Sequence, residues 1–196
     1  MHTTSSTLTG LILCGGQGSR LGGVDKGLIS LQGKPLVAHC IDKLRPQVDT
    51  LLISANRNHA QYAALGYALC PDLRPDFPGP LAGFEAGLAY TQSEWLVCTP
   101  CDTPNIPPDL AARLLDAART QAAPAAYAHA GGRDHPVCCI LHKSLLENLS
   151  QTLTQKQYRV LGWLQAIGAV RLDFGDDANP AFQNINTPAA LEAYQP

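Results

Sequence analysis

The stretch "GLILCGGQGSRLGGVDKG", residues 10–27, decides how the rest of the chain is read. Residues 10–14 are a short apolar run that stops at glycines, the pattern of a buried strand. Residues 15–27 are a loop, because so glycine-rich a segment does not hold a helix. Glycines let backbone N–H groups approach an anion closely. Arg20 and Lys26 bring positive charge to the same loop, and arginine can grip two phosphate oxygens at once. A strand that empties into such a loop is the usual place for phosphate in an open α/β sheet. Two familiar phosphate loops do not fit. The only Gly-Lys pair, Gly33-Lys34, runs into Pro35, where a P-loop needs Ser or Thr. The spacing Gly16, Gly18, Leu21 lacks the last glycine of a dinucleotide loop.

Working outward, strands and helices alternate. Residues 34–47 carry apolar side chains at Leu36, Val37, Cys40, Ile41 and Leu44, which is helical spacing, with Pro35 acceptable in the first turn. Residues 50–55 and 67–70 read as strands on either side of a short helix that Gly66 ends. A proline-rich loop precedes a helix at 81–90 and a strand at 95–99. Residues 107–121 form an amphipathic helix with its prolines at the start, where they do least harm. Strands at 125–130 and 135–141 are joined through "GGRD". Helices at 144–152 and 159–167, a strand at 169–174 and a terminal helix complete the chain. This alternation predicts an α/β three-layer sandwich, Rossmann-like, with a mostly parallel sheet. We expect one domain over residues 1–196, with 1–9 as a polar tail.

Composition narrows the function. The 196 residues are 45% hydrophobic and 15% charged, with a formal net charge of -2. That balance gives no support to a nucleic-acid binder, which carries a basic excess. No apolar run approaches the ~20 residues of a membrane helix, and the start lacks the features of a signal peptide. The seven cysteines are irregularly spaced and several lie in apolar runs, where a free thiol packs as a small hydrophobe. We therefore expect unpaired thiols and a cytoplasmic protein.

The segment "EWLVCTPCDTP", residues 94–104, poses a separate question. Its C-x-x-C suggests a redox pair, half a zinc site, or a strand that delivers Asp102 to a reaction. A catalytic thiolate is disfavoured by Asp102 immediately after Cys101. Zinc needs about four ligands, and Cys138-Cys139 is a poor second pair, because neighbours in a strand face opposite ways. The third reading is preferred. Its bland competitor is a turn carboxylate ahead of Thr103-Pro104.

The run Leu13 to Gly27, read as L-x-G-G-x-x-x-R-x-G-G-x-D-K-G, resembles the nucleotide loop of molybdenum cofactor guanylyltransferases. The likeness continues through "GKPL" (33–36), "ANR" (55–57), "PGPLAG" (78–83), "PCDTPNIPPDLAARL" (100–114), "RDHP" (133–136) and "NINTPAAL" (184–191), so it spans nearly the whole chain in order. The resemblance implies a nucleotidyltransferase fold and a monomer. It implies transfer of GMP from GTP to the terminal phosphate of molybdenum-bearing molybdopterin, with release of pyrophosphate. The partners so implied are GTP and molybdopterin, with transient contacts to molybdenum-insertion and molybdoenzyme-maturation proteins.

By the same resemblance Leu13, Cys14 and Gly15 line the nucleotide site through their backbone. Lys26 contacts the phosphates with Arg20 beside it, Asp72 binds the nucleotide, and Asp102 holds Mg²⁺ against GTP. Ser54 stands where the family usually has Asn, which keeps one donor and one acceptor and leaves base reading open; Asn56 is near enough to compensate. Arg159, Asn184 and Asn186 are the candidates for molybdopterin. Each has an alternative: a solvated helix face for Arg159, and capping of the last helix for the two asparagines. Two rival functions remain. One is a related transferase using another nucleotide, such as a cytidylyl enzyme, or a sugar phosphate. The other is a non-catalytic nucleotide-binding or thiol-redox protein.

Overall fold

Strand β1 (Leu8–Leu13) is an interior strand of a seven-stranded sheet in the computed structural model, which describes residues 7–15, 25–75 and 79–185. After β1 come a two-residue hairpin, β2 (Ser30–Leu31) and β3 (Lys34–Pro35), and helix α1 (Leu36–Leu44). Next are β4 (Thr50–Ser54), α2 (His59–Ala63) and β5 (Ala68–Leu69). Then come α3 (Pro80–Tyr90), β6 (Trp95–Pro100), α4 (Leu110–Thr120), β7 (Ala125–Ala130) and β8 (Arg133–His142). The described chain continues through α5 (Leu146–Thr154), α6 (Val160–Ala166) and β9 (Val170–Asp173) to a 3-10 helix, Asp176–Phe182.

The strand order is β5-β4-β1-β6-β8-β7-β9. β4, β5 and β6 lie parallel to β1 or its neighbours, and β9 is parallel to β7; β8 is antiparallel to both β6 and β7. The sheet is thus mostly parallel, as expected. It is buried on both faces, because the apolar residues of each strand split between two cores. Ile12, Ile53, Val97 and Ile140 face α1 and α4. Leu11, Leu13, Leu96 and Leu141 face α3, α5 and α6. On α4 the buried residues Leu110, Leu114 and Ala118 recur every fourth position, one stripe of a helix; each leucine so buried contributes about 1.5–3 kcal/mol.

Local departures from the predicted boundaries have simple causes. β1 begins at Leu8, because Leu8 N donates to Asp49 Oδ2 at 2.7 Å and Leu8 pairs with Trp95. The helix expected from residue 34 begins at Leu36. Lys34 and Pro35 are instead spent on the hairpin, whose turn residues Gln32 and Gly33 both have positive φ (52° and 78°), the two-residue turn that matches strand twist. That helix also tightens to a 3-10 turn at Arg45–Gln47 around Pro46. The β7–β8 turn is Gly131-Gly132, with φ of 56° and 69°. The expected terminal helix falls outside the described residues. Among the described residues no helix is long and apolar enough to cross a membrane.

Candidate nucleotide site

The registers Leu13↔Ser54 and Leu13↔Pro100 bring the carboxyl ends of three parallel strands side by side. The chain leaves β1 for β4 on one side and returns as β6 on the other. That is a topological switch point, where loops diverge and leave a crevice. A cleft of about 790 Å³ opens there. Leu13, Cys14 and Gly15 form its floor; Asn56, Arg57 and Asp72 stand on one side; the start of α3 supplies Gly79, Pro80 and Gly83; and Asp134 to Cys138, Phe182 and Asn184 make the far wall.

Asp102 is delivered by a tight turn. Cys101 N donates to Leu13 O at 3.0 Å, and Thr103 N donates back to Pro100 O at 3.3 Å. The carboxylate is then gripped at both oxygens: Lys26 Nζ donates to Oδ2 at 2.8 Å, and Thr103 Oγ1 lies 3.4 Å from Oδ1. The Thr103 hydroxyl lies closer to Asn184 Oδ1, at 3.0 Å, and Ile185 N donates to the Asp102 carbonyl at 2.7 Å. A strap from the chain's last described residues therefore crosses the Asp102 turn. Lys26 rides on a 3-10 helix, Lys26–Leu28, and the Lys26 and Asp102 side chains are 29% and 14% exposed. Such a pair is open enough to exchange partners with an incoming anion.

Asp72 and Asn56 hold each other. Asn56 Nδ2 donates to Asp72 Oδ2 at 2.8 Å, and Asp72 N donates to Asn56 Oδ1 at 2.8 Å. Burial raises the Asp72 carboxyl above its ordinary value, and the Asn56 hydrogen bond offsets part of that rise. Asn56 is thus committed to Asp72. Ser54 Oγ is buried and has no hydrogen-bond partner among the described residues, nor has His135 Nε2 on the far wall. The His135 ring stacks on Phe182 at 5.0 Å between centroids, and burial lowers its affinity for a proton.

Of the residues singled out from sequence, Leu13, Cys14, Gly15, Lys26, Ser54, Asp72, Asp102 and Asn184 line this one cleft. Arg159 does not: it is exposed, one residue before α6. Arg20 and Asn186 lie outside the described residues. Sequence reasoning gave no role to Arg57, Thr103, His135 or Phe182, which also line the cleft. His135 lay within the "RDHP" block, and that block was a usable signal. Phe182 carried none, since only the turn of the chain after β9 brings it to the cleft.

The cysteines form no dithiol. Cys98 packs in the core under α3, whereas Cys101 packs in the core under α1. Cys138 and Cys139 divide the same way, and all seven thiols are buried and free. Burial pushes the Cys14, Cys40 and Cys98 thiols well up, and Cys70 up to about 12. Those four thiols stay protonated at neutral pH, a state unfit for redox chemistry. No three His, Cys, Asp or Glu residues among those described are gathered to hold a metal. Asp102, beside Lys26 in a cleft that suits anions, fits a hard cation shared with substrate phosphates, the mode of Mg²⁺.

Residues 10–168 match the family model described as MobA-like NTP transferase domain. A protein of Yersinia pseudotuberculosis (serotype O:1b, strain IP 31758) named Molybdenum cofactor guanylyltransferase is 43% identical over 188 residues, 96% of this chain and 95% of its own length. The Yersinia pestis protein of that name shows the same identity and coverage. Among solved structures, molybdopterin-guanine dinucleotide biosynthesis protein A of Archaeoglobus fulgidus superposes with a TM-score of 0.77 at 23% identity, over 94% of this chain and 95% of its own. CMP:2-keto-3-deoxy-manno-octonic acid synthetase complexed with CTP superposes with a TM-score of 0.74 at 18% identity, over 95% and 96%. At such identities the structural likeness speaks for the fold.

Proposed function

The chain belongs to the MobA-like NTP transferase family, and from that premise we propose that it transfers the GMP group of GTP to the terminal phosphate of molybdenum-bearing molybdopterin. An oxygen of that phosphate attacks the α-phosphorus of GTP, the bond from the α-phosphorus to the bridging oxygen breaks, and pyrophosphate leaves. The observation that carries this reading is the Lys26–Asp102 pair at 2.8 Å, set at the joined ends of β1, β4 and β6.

The attacking group is already an anion, so no strong general base is needed. The site's task is to bring anions together and neutralise them. The backbone of Leu13 to Gly15 receives the nucleotide, with Asp72 fixed by Asn56 at its side. Lys26 turns from Asp102 to the phosphates and stabilises charge that develops on the leaving pyrophosphate. Asp102, so released, would hold Mg²⁺. When bound, that ion supplies charge neutralisation and orientation of the phosphoryl group. Asn184, on the far wall, is the candidate for molybdopterin, and Arg159 and Asn186 are its more distant and undescribed companions. Delivery of that substrate and transfer of the product involve transient contacts with the proteins that insert molybdenum and mature molybdoenzymes.

One observation favours a second reading, a cytidylyl or other nucleotide donor. The Ser54 hydroxyl lines the cleft, buried and without a hydrogen-bond partner among the described residues. The test is pyrophosphate release with Mg²⁺ and molybdenum-loaded molybdopterin, offering GTP, CTP, ATP and UTP separately. Release with GTP alone is expected. Release with CTP instead would overturn the choice of base and keep the chemistry; release with none would overturn the transferase reading.

A further inference from the structure

Asp25 takes no part in the chemistry of phosphoryl transfer, yet its carboxylate is the most heavily engaged in the described chain. The residue is 6% exposed. Oδ1 accepts from Tyr62 Oη at 2.6 Å and from Gly27 N at 3.3 Å. Oδ2 accepts from Asn58 Nδ2 at 2.9 Å and lies 3.5 Å from Arg57 Nε. These donors come from the turn of Asp25 itself, from the loop after β4, and from α2. Asn58 precedes α2 in the left-handed region, with φ 53°, and makes no cap bond of its own; its amide goes to Asp25. A Cβ on Gly27 would come within 2.5 Å of Tyr62 Oη, so the hydroxyl also sets how closely the turn packs.

Two cations beside this carboxylate both line the cleft. Lys26 is its neighbour in the chain, and Arg57 is its ion-pair partner. Asp25 is the N-cap of the short helix that bears Lys26. A buried carboxylate is costly unless fully paired, and a turn that only had to close would be served by a neutral side chain. The charge is matched by Arg57, a cleft residue to which the transfer mechanism gives no role.

We propose that Asp25 is a positioning residue that aims two cations into the nucleotide cleft, Lys26 through the backbone and Arg57 through the ion pair, and that Arg57 is a second binding group for the nucleotide's phosphates. The inference rests on the reading of the cleft as a nucleoside-triphosphate site. Asp25→Asn keeps the shape and removes the charge. Arg57→Ala removes the cation that the charge holds.

The test titrates GTP and guanosine separately, by calorimetry, into the parent protein, Asp25→Asn, Arg57→Ala and the double variant, with a thermal melt of each. Asp25→Asn and Arg57→Ala are each expected to weaken GTP about tenfold or more while guanosine affinity is kept, since charge-assisted bonds to phosphate are lost and base contacts are not. The double variant should lose less than the product of the singles, because the two residues act as a unit. Equal loss for GTP and guanosine would make Asp25 merely structural, and unchanged GTP affinity would overturn the proposal while leaving the nucleotide site intact. A parent protein that binds no GTP would instead sink the nucleotide reading and this inference with it. Should Asp25→Asn fail to fold, Tyr62→Phe removes one anchor and leaves the charge. A selective loss of GTP affinity is expected there too, and its absence would count against the proposal.

Discussion

Lys26 and Asp102 stand 76 residues apart in the chain and meet at 2.8 Å. Both are partly exposed, so little folding energy depends on them. Lys26→Ala is therefore expected to lower turnover about 100-fold or more with a nearly unchanged melting temperature; parallel loss of folded protein would show a structural residue instead. Asp72 behaves differently. Burial raises its carboxyl, so the folded state holds a proton more tightly than the unfolded state. Its ionisation therefore costs stability as pH rises from the unfolded value upward, and at neutral pH the charge is a burden to the empty protein. Asp72→Asn should melt at a higher temperature than the parent and turn over more slowly. A lower melting temperature would refute the assigned cause. Asp102 and Lys26 were legible as single residues in the sequence. Their contact was not, because it depends on where the turn after β6 meets the loop after β1.

Helix α3 is buried along nearly its whole length, from Leu81 to Leu88. It lies close to β1 only because Gly83 and Gly87 face that strand. A Cβ on Gly83 would stand 2.3 Å from Leu13 Cδ2 and 3.1 Å from Ser54 Oγ. Leu13 is packed and cannot step aside cheaply, so Gly83→Ala should destabilise by about 1–3 kcal/mol. It should also disturb the cleft floor, since Leu13 and Ser54 both line it. Gly162 in α6 makes the control. It is exposed, and a Cβ there would meet only Arg159 Cβ at 3.7 Å. Gly162→Ala should stabilise by about 0.5–1 kcal/mol through helix propensity. Urea melts of the two variants check both signs at once. Most elements were readable from periodicity. The hairpin of β2 and β3 was not, because its strands are two residues each and Pro35 looked like the first turn of a helix.

Across the whole molecule, the far wall couples site and stability through His135. Burial lowers its proton affinity below the ordinary value of 6.5, so the fold favours the neutral ring. Because the unfolded chain takes up its proton first, stability is lost progressively as pH falls toward the folded value, starting at about pH 6.5. The melting temperature should fall on acidification below that point. His135→Phe keeps a ring against Phe182 and should flatten the fall; an unchanged slope would place the acid sensitivity elsewhere. The alternation of strands and helices, Lys26 and Asp102 were readable along the chain, because each rests on local patterning: period 2 or 3.6, and single charged residues near strand ends; Asp72 was named only through the family resemblance. The cleft's far wall, the engagement of Asp25 and the displacement of Arg159 were decided only in three dimensions. Each depends on which strands neighbour β1, and on the antiparallel return of β8 that carries His135 to the cleft. Strand order is set by packing among elements far apart in sequence, so local patterning does not encode it.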